Sequence, residues 1–397
     1  MGFQILKIIY KLFILRIIQK KPNNILVVAE YGNYGGTRTY LFYLLKFFYS
    51  YGANVTLLLS ADQKDDELLC LLKVYNFKTL ETNFDFWCTD LNDNTIELTK
   101  REQYIYEFKE LKFWCDIQKN NKFSTFIFTH NYPGKYLTSL LIPVKLFYIV
   151  HSVPLVKIDS YKNFLLKRFL STKKQIVTVS QYAKSTIEKQ WFKSIPNPYL
   201  TWIYNYYAPK FPILNNSKSK SVKTILTIGS LEKYKNPMFF IETAIQLIQD
   251  NKGQKIKFIW AGDGSMLEEC RKAVYGIAEI TFVGHIEDVE ALYSKATIYF
   301  QPSILESHGI AVIGAMYHHL PCVVSDNGGM IESVTNERTG FVVPVETIDL
   351  AVEKISWLLD NPEECGLMGN RGYEVYKKKF NPHTWEIKMY KFLDGSN

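Results

Sequence analysis

Short, uninterrupted apolar runs recur along this chain, and each is followed by a loop and a helical stretch. The first run, NILVVAE at residues 24–30, is bounded by Asn and Gly and has the pattern of a central parallel strand buried on both faces. A helix is predicted from about Thr37 to Tyr51 and a second strand from Ala53 to Leu59, which makes a βαβ opening. The run TILTIG at 224–229 starts a second sheet, so an α/β protein is predicted.

Length and composition indicate two domains. A chain of 397 residues with 47% hydrophobic residues suits two domains of ordinary size, each with its own core. Residues 209–221, PKFPILNNSKSKS, are rich in Pro, Ser, Asn and Lys without periodicity, and we predict a linker there. Trp87 and Trp114 are predicted to be core residues, and the alternative is that they line a groove for an acceptor.

The net charge of +8 suggests an anionic partner, which could be a membrane, a nucleotide or a nucleic acid. No helix-turn-helix, zinc-finger or RNA-binding signature is present, so we predict no nucleic-acid partner. The six cysteines include no CxxC pair and are widely spread, as in reduced, packing cysteines of a cytosolic protein.

Residues 1–21 are strongly apolar and basic. Lys7, Lys11 and Arg16 interrupt the run, which therefore lacks the roughly 20 apolar residues needed to cross a bilayer. No small-residue cleavage site follows, which argues against a signal peptide. An interfacial helix with its lysines toward anionic headgroups is favoured, and a helix packed on the first domain is the alternative.

A candidate ligand-binding corner lies in residues 301–333. Glu306 sits in a loop, Gly309 precedes a predicted helix at 310–316, and a Gly-Gly turn follows the next strand. The N–H groups of the first helical turn, Gly309 to Ala311, favour a phosphate, whereas Glu306 is better suited to sugar hydroxyls. An ordinary βα turn is the alternative.

Two histidines follow predicted strands of the first domain. His130 comes after the strand at 124–129, and His151 follows the strand at 145–150. Ligands of open α/β sheets bind at the carboxyl ends of strands, although a histidine there is more often a loop hydrogen-bonding group than a catalyst.

The sequence motifs PSxxExxG, A-M and LPCVVSDxGGxxE resemble the donor-site signature of family 4 glycosyltransferases, group 1 type, which have the GT-B fold. The resemblance is strong over residues 222–375 and diffuse over 24–208. It implies two Rossmann-like domains with parallel sheets facing a cleft. The implied segments are a basic apolar helix (1–22), an acceptor domain (23–208), the linker (209–221), a donor domain (222–375) and a terminal helix crossing back (376–397).

The same resemblance assigns roles in the donor site. The family pattern G-R-L-x-x-x-K is matched at Gly229, Leu231 and Lys235, with Ser230 in place of Arg, so Lys235 would neutralise the donor diphosphate. Lys233 could substitute for the missing cation, and a solvated loop lysine is the alternative for Lys235. Glu306 matches the first glutamate of the family's E-x7-E pair, but Gly314 occupies the second position, which in the family binds ribose.

The remaining site residues are implied by the resemblance alone. His130, together with Glu306, is the catalytic candidate, and His151 is more often structural. The other candidate donor-binding positions are Gly35, Gly36, Ser230, Gly284, His285, Ser307, His308, Gly309, Ile310, Ala311 and Gly314.

The function implied is a retaining, hexosyl-type glycosyltransferase (EC 2.4 class) that uses a nucleotide-diphosphate sugar. Its acceptor would be a glycan or lipid-linked glycan in cell-surface polysaccharide synthesis, at the cytoplasmic face of the cell membrane. No Asp-x-Asp, P-loop, HExxH or GxSxG word is present, and we predict no metal or cofactor.

Gly314 leaves three explanations open. Another residue could hold the ribose, or the donor could be an unusual one. The third is a non-catalytic GT-B protein that binds a glycan or partners another transferase. A nucleotide-sugar epimerase on the same fold is disfavoured, because its carboxylate pattern is not visible.

Overall fold

A computed structural model describes residues 24–29, 35–60, 66–84, 99–130, 133–153, 160–209, 222–250, 253 and 255–395. The helix predicted at 1–22 and nearly all of the linker predicted at 209–221 lie outside the described residues.

The described part of the chain contains thirteen strands, β1 to β13 in chain order, and most of them coincide with apolar runs of the sequence. Their bounds are Ile25–Ala29, Val55–Ser60, Lys78–Thr82, Thr125–His130, Lys145–Val150, Lys174–Thr178, Leu200–Trp202, Lys223–Ile228, Ile256–Ala261, Ile280–Gly284, Ile298–Gln301, Cys322–Ser325 and Gly340–Val343.

Twelve α-helices, α1 to α12, connect or follow these strands in the described part of the chain. Their bounds are Gly36–Ser50, Asp66–Val74, Lys100–Asn121, Ser160–Phe169, Gln181–Trp191, Pro237–Asp250, Leu267–Ala273, Glu290–Lys295, Ile310–Tyr317, Ile348–Asp360, Pro362–Lys379 and Pro382–Asp394. Short 3₁₀ turns at Pro133–Leu141, Lys233–Lys235 and Gly329–Glu332 complete the set.

The strands form two sheets with the same order of connection. The first sheet runs β3-β2-β1-β4-β5-β6-β7 and the second β10-β9-β8-β11-β12-β13, and the strands run parallel. In both, the chain winds outward from a central strand, returns and then winds the other way, as in a Rossmann fold. The prediction of two Rossmann-like parallel sheets is confirmed.

The chain divides into two compact units. The first unit contains the chain to Val177, Ile187–Thr201 and Met389–Asn397, and the second contains Thr178–Thr186 and Trp202–Lys388. Each has its own buried core, and Trp114 belongs to the core of the first. Of the described cysteines, Cys270, Cys322 and Cys365 are buried and unbridged.

The order of the second sheet determines where its ligand site would lie. The strand order reverses between β8 and β11, which are neighbours. Ligands of open α/β sheets bind beyond the carboxyl ends of the strands at such a reversal. The loops there are residues 229–236 after β8 and 302–309 after β11. Within the described residues, no helix is long and apolar enough to cross a membrane.

Candidate active site

The loop after β8 is shaped by close backbone packing against the loop after β9. The N–H of Leu231 donates to the carbonyl of Asp263 (2.9 Å), and the N–H of Met266 donates to the carbonyl of Leu231 (2.9 Å). A Cβ on Gly262 would lie 1.9 Å from the carbonyl oxygen of Gly229, and one on Gly264 would lie 2.6 Å from that of Leu231. Only glycine allows this approach, so the Gly-Asp-Gly turn supports the loop that carries Lys235.

Lys235 and Glu306 form an ion pair across the two loops. Lys235 ends the turn Lys233–Lys235, Asn236 follows in the left-handed region (φ 61°), and α6 begins at Pro237. The Lys235 ammonium donates to the Glu306 carboxylate, and their side chains are 14% and 17% exposed. Burial alone would lower the pKa of Lys235, but the charge of Glu306 opposes it and the pKa is raised overall.

The loop that carries Glu306 is held from both sides. On one side, the N–H of Ile304 donates to the carbonyl of Tyr234 (2.8 Å). On the other, the N–H of Gly329 donates to the carbonyl of Glu306 (2.8 Å). A Cβ on Gly328 would lie 2.1 Å from that same oxygen. The Gly-Gly turn therefore clamps the backbone of Glu306.

The start of α9 lies beside this pair. Gly309 adopts the left-handed conformation (φ 84°), and no side chain in the described part of the chain caps the helix start. Its Cβ position would be 3.5 Å from Glu306 Cγ, which places the glutamate against the first turn that contains Ile310 and Ala311. Helix starts favour anions, so a carboxylate, a cation and a helix N-terminus meet here.

The other residues of these two loops have polar or packing contacts. The Ser230 hydroxyl lies 3.3 Å from the Tyr234 hydroxyl. The carbonyl of Ser307 faces Gly329, where a Cβ would approach it to 2.0 Å. His308 is fully buried.

The His308 ring stacks on Tyr204 at 5.0 Å between ring centroids, and its Nε2 lies 3.3 Å from the hydroxyl of Ser333. Burial lowers the pKa of His308 to about 3, so this ring is neutral packing at physiological pH.

Gly314 is a packing glycine on α9. A Cβ at this position would lie 2.7 Å from the hydroxyl oxygen of Tyr293 and 2.9 Å from Cε2 of Tyr207. The Tyr293 hydroxyl donates to the carbonyl of Ala311 (2.8 Å), and the Tyr207 hydroxyl donates to Glu290 (2.6 Å). Two tyrosines therefore occupy the space into which a side chain at 314 would project.

The remaining predicted residues lie at strand or helix ends. Gly284 ends β10 at the sheet edge, where its carbonyl accepts from the N–H of Gly262 (2.8 Å), and His285 beside it is exposed. In the first unit, Gly35 and Gly36 form the start of α1, and His130 is the last residue of β4. The structure thus brings Lys235 and Glu306 into contact and places Gly309 beside Glu306.

His151 is buried at the end of β5. Its Nε2 lies 2.9 Å from the Thr129 hydroxyl, and its ring meets Tyr40 edge-on at 4.4 Å. Burial lowers the pKa of His151 to about 3, which makes it a neutral, structural group.

Tyr234 and Glu332 have contacts at this site for which the sequence predicted no role. Glu332 accepts from the N–H groups of Gln181 (3.0 Å) and Tyr182 (2.6 Å) at the start of α5. It also hydrogen-bonds Tyr204, whose pKa is raised to about 12 by burial and by this contact. The sequence signal for Glu332 was its place three residues after the Gly-Gly turn.

Among the described residues, no group of three or more His, Cys, Asp or Glu side chains is arranged to hold a metal ion.

Comparison with known proteins supports the class that the fold and the site define. The fold is that of GT-B glycosyltransferases, and it resembles Anabaena HepE in complex with UDP and glucose. The TM-score is 0.71 at 16% identity, over 94% of this chain and 99% of that one. Residues 213–375 match the family model "Glycosyl transferases group 1". The resemblance predicted from the sequence is therefore confirmed.

Two bacterial relatives are similar over part of the chain. One is the Campylobacter jejuni GalNAc-alpha-(1->4)-GalNAc-alpha-(1->3)-diNAcBac-PP-undecaprenol alpha-1,4-N-acetyl-D-galactosaminyltransferase, which is 27% identical over 37% of this chain and 41% of its own length. The other is the Escherichia coli UDP-Gal:alpha-D-GlcNAc-diphosphoundecaprenol alpha-1,3-galactosyltransferase, 26% identical over 38% of this chain and 40% of its own. The chain thus spans about two-fifths of the length of these curated relatives.

Proposed function

We propose that the protein is a retaining glycosyltransferase that moves a hexosyl-type sugar from a nucleotide-diphosphate sugar to a glycan or lipid-linked acceptor in cell-surface polysaccharide synthesis. The observation that carries the proposal is the Lys235–Glu306 pair at the strand-order reversal, beside the start of α9. A cation suits a diphosphate and a carboxylate suits sugar hydroxyls, so the pair matches both halves of such a donor.

Donor binding would require the pair to exchange partners. A diphosphate oxygen would replace Glu306 at the Lys235 ammonium, which frees the carboxylate to accept from sugar hydroxyls. The N–H groups of Ile310 and Ala311 would add to the stabilisation of the departing diphosphate, because they are fixed before the reaction begins. The leaving phosphate would help deprotonate the acceptor, with His130 orienting sugar or acceptor and no metal required.

A lipid-linked acceptor at the inner face of the cell membrane is supported by two observations. The names of both bacterial relatives include an undecaprenol-linked diphosphate acceptor. The chain carries a net charge of +8, which suits anionic lipid. Deleting residues 1–21 should move the protein from membrane to soluble fractions, and unchanged partitioning would remove that segment from the proposal.

Thermal unfolding with UDP, GDP, ADP, CDP and TDP, and with their sugars, tests the donor site. A ligand at 100 times its dissociation constant should add about 2.7 kcal/mol to the free energy of unfolding. One nucleotide standing out would support the proposal and name the donor class, and the Lys235→Met variant should lose that shift. If no nucleotide moves the midpoint, the proposed donor site is wrong.

A non-catalytic glycan-binding role is the second candidate, because the tyrosines packed against Gly314 leave no space for a side chain there that could hold a ribose. Slow hydrolysis of the donor by water would argue for the transferase. Glycan binding without any nucleotide binding would argue for the binding protein.

A further inference from the structure

Helix α3 of the first unit has one face in the core. The helix spans Lys100–Asn121, and Trp114 on its inner face is fully buried. The Trp114 indole N–H donates to the buried Glu110 carboxylate (2.9 Å), one turn away. Leu111, Phe113 and Ile117 pack against the same core, so this side of the helix is committed to the fold.

The opposite face carries an exposed stripe of basic and apolar side chains. Its members, called the α3 stripe below, share the spacing i, i+4, i+7, i+8 and i+11, which places them on one side of a helix. They are Arg101, Ile105, Phe108, Lys109 and Lys112, and they line an open cavity of about 660 Å³. Phe108 is 70% exposed and Ile105 is 46% exposed, which is unusual for neighbouring large apolar side chains.

The charge of the stripe is not neutralised within the described part of the chain, where Arg101, Lys109 and Lys112 form no ion pair. The neighbouring carboxylate, Glu102, is engaged in capping its own helix. It accepts from the N–H of Thr99 (2.8 Å) and from the Thr99 hydroxyl (2.7 Å). The exposed Asp116 lies one turn beyond the stripe. The stripe therefore presents positive charge around two apolar side chains.

We propose that the α3 stripe docks the protein on an anionic lipid bilayer. Lysine and arginine at a bilayer surface pair with anionic headgroups, while an aromatic ring inserts at the headgroup boundary. A second copy of the chain fits less well, because a symmetric contact would bring the same cations together. The proposal does not depend on the proposed sugar transfer, since it concerns a surface of the first unit alone.

Sedimentation of the full-length protein with vesicles tests the docking surface. The vesicles contain equal parts of phosphatidylglycerol and phosphatidylcholine, with phosphatidylcholine alone as the uncharged comparison. The R101Q/K109Q/K112Q variant should partition roughly 100-fold more weakly, since each cation near an anionic surface contributes about 1 kcal/mol, or roughly fivefold. F108S should partition about tenfold more weakly, because no phenyl ring is then transferred from water into the bilayer.

The matched control is K46Q/K73Q/K145Q, which removes three charges from exposed lysines of the same unit. It should bind within a few-fold of the unaltered protein, because distant charges are screened by salt. A stripe variant that binds the anionic vesicles as tightly as the unaltered protein would overturn the proposal and leave residues 1–21 as the contact. A dimer in sedimentation velocity that F108S abolishes, without vesicle binding, would overturn it in favour of a second copy.

Discussion

The two units share one strand order, but the polar groups described at the carboxyl ends of their strands differ in charge. In the second unit, Lys235 and Glu306 place opposite charges together at the point where the order reverses. In the first unit, the described polar side chain at the end of β5 is His151, which is neutral and bonded to Thr129. Shared topology therefore determines where a site lies, whereas the loop residues determine whether it is charged.

The largest effect is expected from removing the cation that distinguishes the second unit. Lys235→Met keeps the length of the side chain but loses its charge, so the rate of nucleoside-diphosphate release during transfer should fall about 100- to 1,000-fold, as for other lost transition-state contacts. Lys233→Met, in the same turn, is the control and should change the rate by less than about threefold. Equal losses in both variants would show that the paired lysine has no special role.

Glu306→Gln sharpens this test because it leaves Lys235 without its partner. Transfer should fall as sugar hydroxyls lose their carboxylate, while the nucleoside diphosphate alone should bind at least as tightly as before, since it no longer competes with Glu306. A transfer assay measures the first effect, and calorimetric titration with the nucleoside diphosphate measures the second. Equal loss of both would contradict the partner exchange.

The next effect concerns the clamp on the Glu306 loop. Gly329→Ala would place a Cβ 2.0 Å from the Ser307 carbonyl oxygen, so the free energy of unfolding should fall by about 3 kcal/mol. Gly366→Ala is the matched control, because a Cβ added at this position in α11 would meet no atom of a neighbouring element within 4 Å. It should stabilise the protein by up to about 1 kcal/mol through helix propensity. Urea unfolding measures both, and a neutral Gly329→Ala would contradict the packing described.

Acid should destabilise both units through their buried histidines. His151 and His308 have folded-state pKa values of about 3, so they stay neutral while the unfolded chain takes up protons below about 6.5. Their stabilising contribution is therefore present above pH 6.5 and is lost as the pH falls toward 3. Each should reduce the free energy of unfolding by about 2 kcal/mol between pH 7 and pH 5.

The variants His151→Phe and His308→Phe separate the contribution of each histidine to the acid destabilisation, one in each unit. In urea unfolding at pH 5, each variant should recover about half of the free energy of unfolding that the histidines cost. Between pH 7 and pH 8, neither variant should change how that free energy depends on pH. An unchanged loss in both variants would mean that other groups cause the acid sensitivity.

The smallest effect tests Gly314 against its tyrosine neighbours. Gly314→Ala gains helix propensity but crowds the Tyr293 hydroxyl, so a net destabilisation of about 1 kcal/mol is expected. In the Tyr293→Phe background the crowding oxygen is gone, and the same substitution should cost less. A double-mutant cycle from urea unfolding should therefore show coupling, and additive effects would contradict the contact.

Most of the second unit could be predicted from the sequence because its strands are short apolar runs between turn residues. The run at 224–229, predicted to start a second sheet, corresponds to β8 at Lys223–Ile228, and the helix predicted at 310–316 corresponds to α9 at Ile310–Tyr317. The first unit was harder. Strand β3 was missed because it is an edge strand, KTLET, with mostly exposed side chains and no apolar run. Helix α3 begins at Lys100, directly after the N-cap Thr99, which forms a capping box with Glu102.

The candidate site could be predicted only in part. Lys235, Glu306 and Gly309 were found because their spacing repeats a family pattern. The ion pair between Lys235 and Glu306 was not predicted, because residues 71 positions apart reveal no contact by spacing. The burial of His308 was equally hidden, since its partner Tyr204 lies far away in the sequence.

Glu332 gives the second unit an internal anion. Its carboxylate accepts from the first two N–H groups of α5, so the positive end of that helix is already neutralised by the protein itself. An incoming phosphate would have to displace a covalently tethered rival there, whereas no side-chain hydrogen bond from the described residues caps the start of α9. Filling one helix start permanently can thus direct a mobile anion to the other.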